Sequence, residues 1–569
     1  MLSGLDLSQP GDGKSWANGI SLWGDQLSRA VLNSSVPVDR LNDAVTRIVA
    51  AWYQLGQDKN YPPVSFSAWT RNDTDVAYHG SNTGPIIHVN DHIDVRGNHG
   101  AIARRVATEG ITLLKNADNT LPLKPSDTIR VFGSDAGPNP NGGNSCVDRG
   151  CNSGVLGMGW GSGTAEYYPD IEAPIDAISS RARDVQSILK DNVTDAVRSL
   201  ARTEKAQCLV FISSDAGERY ITVEGNEGDR NSLFAWHGGD DLVLAVADNC
   251  PSTIVVMHTV GPVIVEKWID HPNVKALVNA HLPGREAGNS LADVLFGVVS
   301  PSGRLPYTMG KRAEDWGSSV QIVAEGTGAI DLDFSEKLSI DYKWFDAQGI
   351  SPRYEFGFGL SYTTFSYSCL SVRQVGNPTK LPAQRPAKGP VPSYSTRIPS
   401  PAEAEWPESI TTRVPKYIYP YLDNPRNITV GRYPYPDGYT TEDKPAPAAG
   451  GAQGGNPALW DVMYTATVTV RNTGRMAAKA VPQLYLEFPE GTGYATPVRQ
   501  LRGFKKVELA PGASAPVTFE LTRKDLSVWD VVEQNWVIPL ASGGYTIHVG
   551  DSSRNLPLKC STTDSTAHT

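Results

Sequence analysis

An α/β domain followed by an all-β domain is the fold class that this 569-residue sequence predicts, and two rhythms carry it. Over residues 100–312, short apolar, β-branched stretches alternate with helical ones. That alternation gives a largely parallel sheet with helices on both faces. After Tyr354, apolar residues recur with period two between turn residues, the signature of a β-sandwich. Apolar residues at 40% and charged residues at 20% describe an ordinary globular chain, long enough for about two to four domains.

In residues 1–57, Leu41, Val45, Ile48, Trp52 and Leu55 fall at helical spacing and Gly56 stops the run. So short an amphipathic helix needs another surface to lie on. Residues 58–99 are polar and punctuated by Pro and Gly, as a linker would be. The α/β region opens with "GAIARRVATEGITLLKN", a helix running into a strand. "TIRVFGS" follows as a strand, and "IEAPIDAISSRARDVQSILK" contains a helix. The strands "AQCLVFISS", "STIVVMHTV" and "VKALVNAHL" are separated by expected helices at 240–249 and 265–268. Residues 313–353 connect to the β-sandwich, placed at 354–560 and starting with "LSYTTFSYSCL". A Pro/Gly-rich insertion at 375–457 has no periodicity, which fits a wrapping or partly disordered loop.

The formal net charge of −10 argues against nucleic acid or an anionic membrane as partner, and no apolar run is long enough to span a bilayer. A neutral soluble ligand is the default. Asn33, Asn72, Asn192 and Asn427 open glycosylation triplets, and Cys146 and Cys151 in "CVDRGC" are spaced for a disulfide. No His or second Cys pair follows at zinc-ligand spacing, so no metal site is expected. Cys208 and Cys250 are candidates for a second bridge. The opening "MLSGLDLSQPGDGK" has neither a basic nor an apolar leader region.

The stretch "SSDAGERYITVEGNEGDRN", residues 213–231, places Glu218, Glu224 and Glu227 on a glycine-loosened loop directly after the strand "AQCLVFISS". Acids in polar loops are mostly just solvated. The carboxyl end of a parallel strand, however, is where α/β proteins place function. "GWGSGTA", from Gly159, lacks the Lys-Ser/Thr of a phosphate loop. Trp160 in it suits stacking on a sugar face, or a packed glycine turn. The chain has no G-x-S-x-G elbow and no H-E-x-x-H.

Ten stretches in order resemble glycoside hydrolase family 3, specifically its secreted fungal β-glucosidases. Among them are "SGLDLSQPGD", "RLNDAVTRIVAAWYQLGQ", "EGITLLKNADNTLPL", "CVDRGCNSGVLGMGWGSGTA" and "GERYITVEGNEGDRNSL". "HTVGPVIVEKW", "LPGREAGNSLADVLFG", "SPSGRLPYT", "YEFGFGLSYTTF" and "VRQLRGFKKVELAPG" continue the series nearly to the end. The resemblance implies a (β/α)8-type barrel, an α/β sandwich and a fibronectin-III-like domain. It also implies release of glucose from non-reducing ends of β-glucosides with retention, without metal or cofactor.

Retention needs a nucleophile and an acid/base. The family's loop Ser-Gly-Glu-Gly-Tyr aligns its acid/base with Glu218, Glu224 being the runner-up. The sequence departs at Ala216 and Arg219, and a guanidinium beside Glu218 would favour the ionised carboxylate. The family's nucleophile, in Ser-Asp-Trp, is expected upstream of Met1. Residues 1–57 are then a barrel remnant, and the chain alone is expected to be inactive. Asp6 matches a different aspartate, expected to cap or orient the chain near Gly11 to Gly13. Another exo-glycosidase such as a β-xylosidase, or a non-catalytic secreted carbohydrate-binding or scaffold protein, remain as alternatives.

Overall fold

The computed structural model describes residues 4–9, 20–21, 23–61, 66–67, 70–78, 84–142, 146, 149–151, 153–164, 171–319, 334–385, 393–415, 417–431 and 455–563. It divides into two compact units, Met1–Val95 with Ala387–Ala446, and Arg96–Pro386 with Pro447–Thr569.

The first unit holds α1 (Gly24–Leu32) and α2 (Val38–Gln54). Gly56, at φ 68°, follows the last turn of α2 and ends it as its position in the sequence predicts. Val38, Arg40 and Ala44 face inward. Arg40 is held there by ion pairs to Asp6 at 2.6 Å and Asp43 at 3.2 Å. Val45, Ile48, Val49, Trp52 and Leu55 are exposed.

The stretch expected to be a linker contains an antiparallel hairpin, β1 (Thr74–Val76) with β2 (Ile86–His88). The Asn90 amide pins its base, donating to the carbonyls of Thr70 at 2.8 Å and Asn72 at 2.6 Å. Three-residue strands are too short to show alternation. Of the insertion at 375–457, Ala387–Ala446 share this unit with the helices, and the flanking residues stay with the second unit. Ala404 and Leu422 bury against Leu32, and the Tyr394 hydroxyl donates to Asp43. So few apolar residues, without period, gave no sign of the surface they cover.

The second unit begins with α3 (His99–Gly110), β3 (Thr112–Asn116), β4 (Thr128–Phe132), α4 (Pro174–Ser179) and β5 (Asp184–Ile188). It continues with α5 (Asp195–Ala201), β6 (Gln207–Ser214), α6 (Gly239–Ala247), β7 (Thr253–Thr259), β8 (Val274–Asn279) and α7 (Ala287–Leu295). The sheet order is β3-β8-β7-β6-β4-β5, parallel except for β3 on β8. Along β6, Cys208, Val210 and Ile212 enter one core with Leu242, Val243 and Val246 of α6. Leu209 and Phe211 enter the other core with Leu291, Val294 and Leu295 of α7. Both faces are buried, which is why this strand reads as a continuous apolar run. Cys208 is bonded to Cys250, with Cα atoms 6.5 Å apart.

The helix expected at 265–268 is absent: residues 266–270 form a turn. Trp268 is fully buried there and donates to Asp240 of α6 at 2.8 Å. Four residues with two charges among them can bury a single Trp without winding.

Beyond α8 (Tyr342–Ala347) the β-sandwich starts with β9 (Phe365–Gln374) and β10 (Val462–Asn472). Further strands of its two larger sheets are β11 (Gln483–Glu487), β12 (Gln500–Phe504), β13 (Ser514–Thr522), β14 (Thr546–Gly550) and β15 (Leu558–Ser561). Sheets β13-β10-β9 and β12-β11-β14-β15 enclose a core that includes Val468, Val470, Leu484, Leu486, Phe519 and Ile547. Among the described residues the largest sheet has six strands and none closes into a barrel.

Candidate functional site

The parallel sheet ends β6 at Ser214, and the next four residues, Asp215 to Glu218, run across its carboxyl edge. A second chain segment, residues 159–162, crosses beside them. Trp160 bridges Gly217 in parallel, and its carbonyl accepts the Glu218 amide at 3.2 Å. Its indole donates back to the Glu218 carbonyl at 3.2 Å. Such contact requires glycine on both sides. A Cβ on Gly217 would run into the Trp160 carbonyl and indole, and one on Gly161, at φ 131°, would sit 2.7 Å from Glu218 Oε2.

Glu218 itself faces solvent in an open cleft of about 620 Å³ lined also by Met158, Trp160, Ser162, Val260 and Leu282. Its carboxylate accepts the Ser162 amide. Hydrogen bonds from the Ser162 hydroxyl and then its amide hold the Glu218 carboxyl below the ordinary glutamate range. Arg219, expected to act on Glu218, points instead toward Glu227, 3.9 Å away on the exposed side. The departure at Arg219 therefore leaves Glu218 untouched.

Glu224 is not in this cleft. Its carboxylate takes His237 Nε2 at 2.8 and 2.9 Å, and the other ring nitrogen lies 3.5 Å from Asp191. Trp160 is only 4% exposed and packs near Trp236, so it offers no free face for a sugar. It acts as a strut for the Glu218 loop. Asp6 pairs with Arg40, and Gly11 to Gly13 lie outside the described residues.

One acid escaped notice in the sequence. Asp215 is fully buried, receives Arg149 Nη1 at 3.2 Å and accepts the Ala216 amide at 2.8 Å. Burial pushes its carboxyl up to about 6, against the pull of Arg149. Arg149 comes from the loop closed by Cys146–Cys151, whose Cα atoms are 5.9 Å apart. Deeper in the same edge, His258 and Asp135 form a buried pair at 2.7 Å. Burial, with His258 nearby, lowers His281 to about 4. An acid directly after an apolar strand run was the available signal for Asp215.

Asn72, Asn192 and Asn427 are exposed. Asn33 is 6% exposed and its Oδ1 accepts the Ser35 amide at 2.8 Å, so this structure has no room for a glycan there. No helix among the described residues is long and apolar enough to cross a membrane.

Residues 111–362 match the glycosyl hydrolase family 3 C-terminal domain, and residues 480–553 the fibronectin type III-like domain. The structure of a family 3 β-glucosidase from Neurospora crassa superposes with a TM-score of 0.88 at 38% identity, covering 98% of this chain and 67% of that one. The chain belongs to glycoside hydrolase family 3. A β-glucosidase from Chaetomium thermophilum gives the same TM-score and identity, with 68% of its chain covered. Among curated relatives, "Probable beta-glucosidase F" of Aspergillus flavus is 51% identical across 98% of this chain. The chain spans 65% of that relative's length. The α/β sheet and the β-sandwich described above correspond to the matched family 3 C-terminal domain and the fibronectin type III-like domain.

Proposed function

We propose that this chain acts in a β-glucosidase that hydrolyses terminal, non-reducing β-D-glucosyl residues with retention, and that Glu218 is its acid/base. The observation that carries this reading is the placement of Glu218. It is a solvent-facing carboxylate at the carboxyl edge of a parallel sheet, in an open cleft, on a loop strapped to a second segment by main-chain bonds. A carboxyl so held donates a proton to the departing glycosidic oxygen while a second carboxylate attacks the anomeric carbon. It then takes a proton from the water that releases glucose. The hydrogen bonds from Ser162 suit the second, basic role. Like-charge repulsion from the nucleophile, expected by resemblance in the family's barrel, favours the protonated form for the first role. Glu224, paired with His237, does not line that cleft. The relatives' names favour glucose over xylose as the released sugar. Two disulfides and three exposed acceptor asparagines support passage through the secretory pathway.

The test joins this chain to the (β/α)8-type domain of a family member. Glu218→Ala then slows an alkyl β-glucoside by roughly 10²- to 10⁴-fold, the usual scale of general acid catalysis. A dinitrophenyl glucoside, whose leaving group needs no proton, suffers less in its first step, and azide restores turnover. If Glu224→Ala shows this pattern and Glu218→Ala does not, the assignment fails.

A further inference from the structure

The turn between β6 and Glu218 is fixed from below by one carboxylate. Asp215 Oδ1 accepts the amide of Ala216 at 2.8 Å, and Oδ2 takes Arg149 Nη1 at 3.2 Å. Asp215 has no solvent exposure and the Arg149 side chain is 11% exposed. Arg149 in turn is presented by a small closed loop. Its backbone is left-handed at φ 53°, its amide reaches the Cys146 carbonyl at 3.2 Å, and its Nη1 also reaches the Cys151 carbonyl at 3.4 Å. Cys146 and Cys151 close that loop covalently. The guanidinium is therefore aimed by the disulfide loop onto Asp215.

We infer that the Cys146–Cys151 loop is a positioning device for Glu218, acting through the buried Arg149–Asp215 ion pair. Its consequence for catalysis rests on Glu218 being the acid/base, whereas its consequence for the loop rests on geometry alone. At a pH high enough to ionise it, a buried carboxylate left without its cation is strongly unfavourable. Asp215 ends a strand and begins an exposed loop, so it has a local escape: the turn opens, the carboxylate hydrates, and Gly217 and Glu218 leave Trp160. Removing both charges takes away that drive, because an asparagine can still accept the Ala216 amide.

Hydrogen exchange of the intact chain reads this directly, since the amides of Gly217 and Glu218 are bonded to Gly228 and Trp160. At alkaline pH, where Asp215 ionises, Arg149→Met should speed exchange at residues 216–218, relative to the parent at the same pH, by about 10-fold or more while residues 207–213 stay protected. Cys146→Ser with Cys151→Ser should do the same, and Arg149→Met with Asp215→Asn should regain most of the protection. Unchanged exchange in Arg149→Met, or a rise shared equally by 207–213, overturns the inference. So does a cysteine double variant that exchanges like the parent.

In the barrel-joined form, Arg149→Met should lower kcat for a poor leaving group far more than for a good one, with KM little changed, and the Arg149→Met/Asp215→Asn pair should restore it. If exchange responds as expected and leaving-group dependence does not, the clasp stands and the assignment of Glu218 is what fails.

Discussion

Hydrogen bonding from Ser162 keeps the Glu218 carboxyl below its ordinary range, so the resting side chain is an ionised base. Ser162→Ala removes the larger of the two contributions, and the Glu218 pKa should rise. Because the protonated form starts the proposed reaction, the alkaline limb of kcat/KM should move to higher pH. A pH–rate profile of the barrel-joined form measures this, and a limb that stays or moves down would exclude Ser162 as its determinant. Residue-level chemistry also separates the four glycosylation triplets. Enzymatic deglycosylation and peptide mapping of secreted protein should find glycans at Asn72, Asn192 or Asn427 and none at Asn33, whose amide is buried and bonded. The sequence could show Glu218 because its position after a strand is a local property. It could not show Asp215 as buried, because that depends on Arg149, 66 residues away, being aimed by its own closed loop.

At the scale of elements, the crossing of two loops depends on Gly161. Gly161→Ala places a methyl 2.7 Å from the Glu218 carboxylate in a backbone conformation that L-residues avoid. It should cost about 1–2 kcal/mol in stability and displace Glu218, read by thermal unfolding together with the leaving-group dependence. A melting temperature equal to the parent's would mean the loops have slack.

Helix α2 gives a second measurable expectation. Val45, Ile48 and Trp52 are 49%, 44% and 39% exposed on one side of it. Val45→Ser with Ile48→Lys should therefore reduce binding of a hydrophobic dye without lowering the melting temperature. Unaltered dye binding would locate the sticky surface elsewhere. The helix and the parallel sheet were legible because periodicity 3.6 and two-faced burial imprint themselves on the apolar pattern. The hairpin of β1 and β2, the turn around Trp268 and the partners of the insertion were not. Three-residue strands, a short turn of mixed polarity and scattered Pro-rich contacts are each too short or too irregular to leave a period.

Over the whole second unit, two buried groups set opposite pH dependences. His281 lies near 4 in the folded protein against 6.5 ordinarily, because burial and nearby His258 disfavour its charge. Between those values the unfolded chain binds a proton that the folded one refuses, so stability falls as pH drops from about 6.5 to 4, by about 3 kcal/mol. Asp215 is raised from 3.8 to about 6 by burial. There the folded protein binds the extra proton, so stability falls as pH rises from about 4 to 6, again by about 3 kcal/mol. The two slopes nearly cancel in the parent. Asp215→Asn leaves His281 unopposed, and this variant should lose stability relative to the parent as pH drops toward 4. His281→Asn leaves Asp215 unopposed and should gain stability over the same interval. Denaturant titrations at pH 4, 5, 6 and 7, each compared with the parent at the same pH, subtract every other titrating group. Opposite signs of the two difference slopes are the expected result, and two variants running parallel to the parent would show that neither group is held as its burial requires.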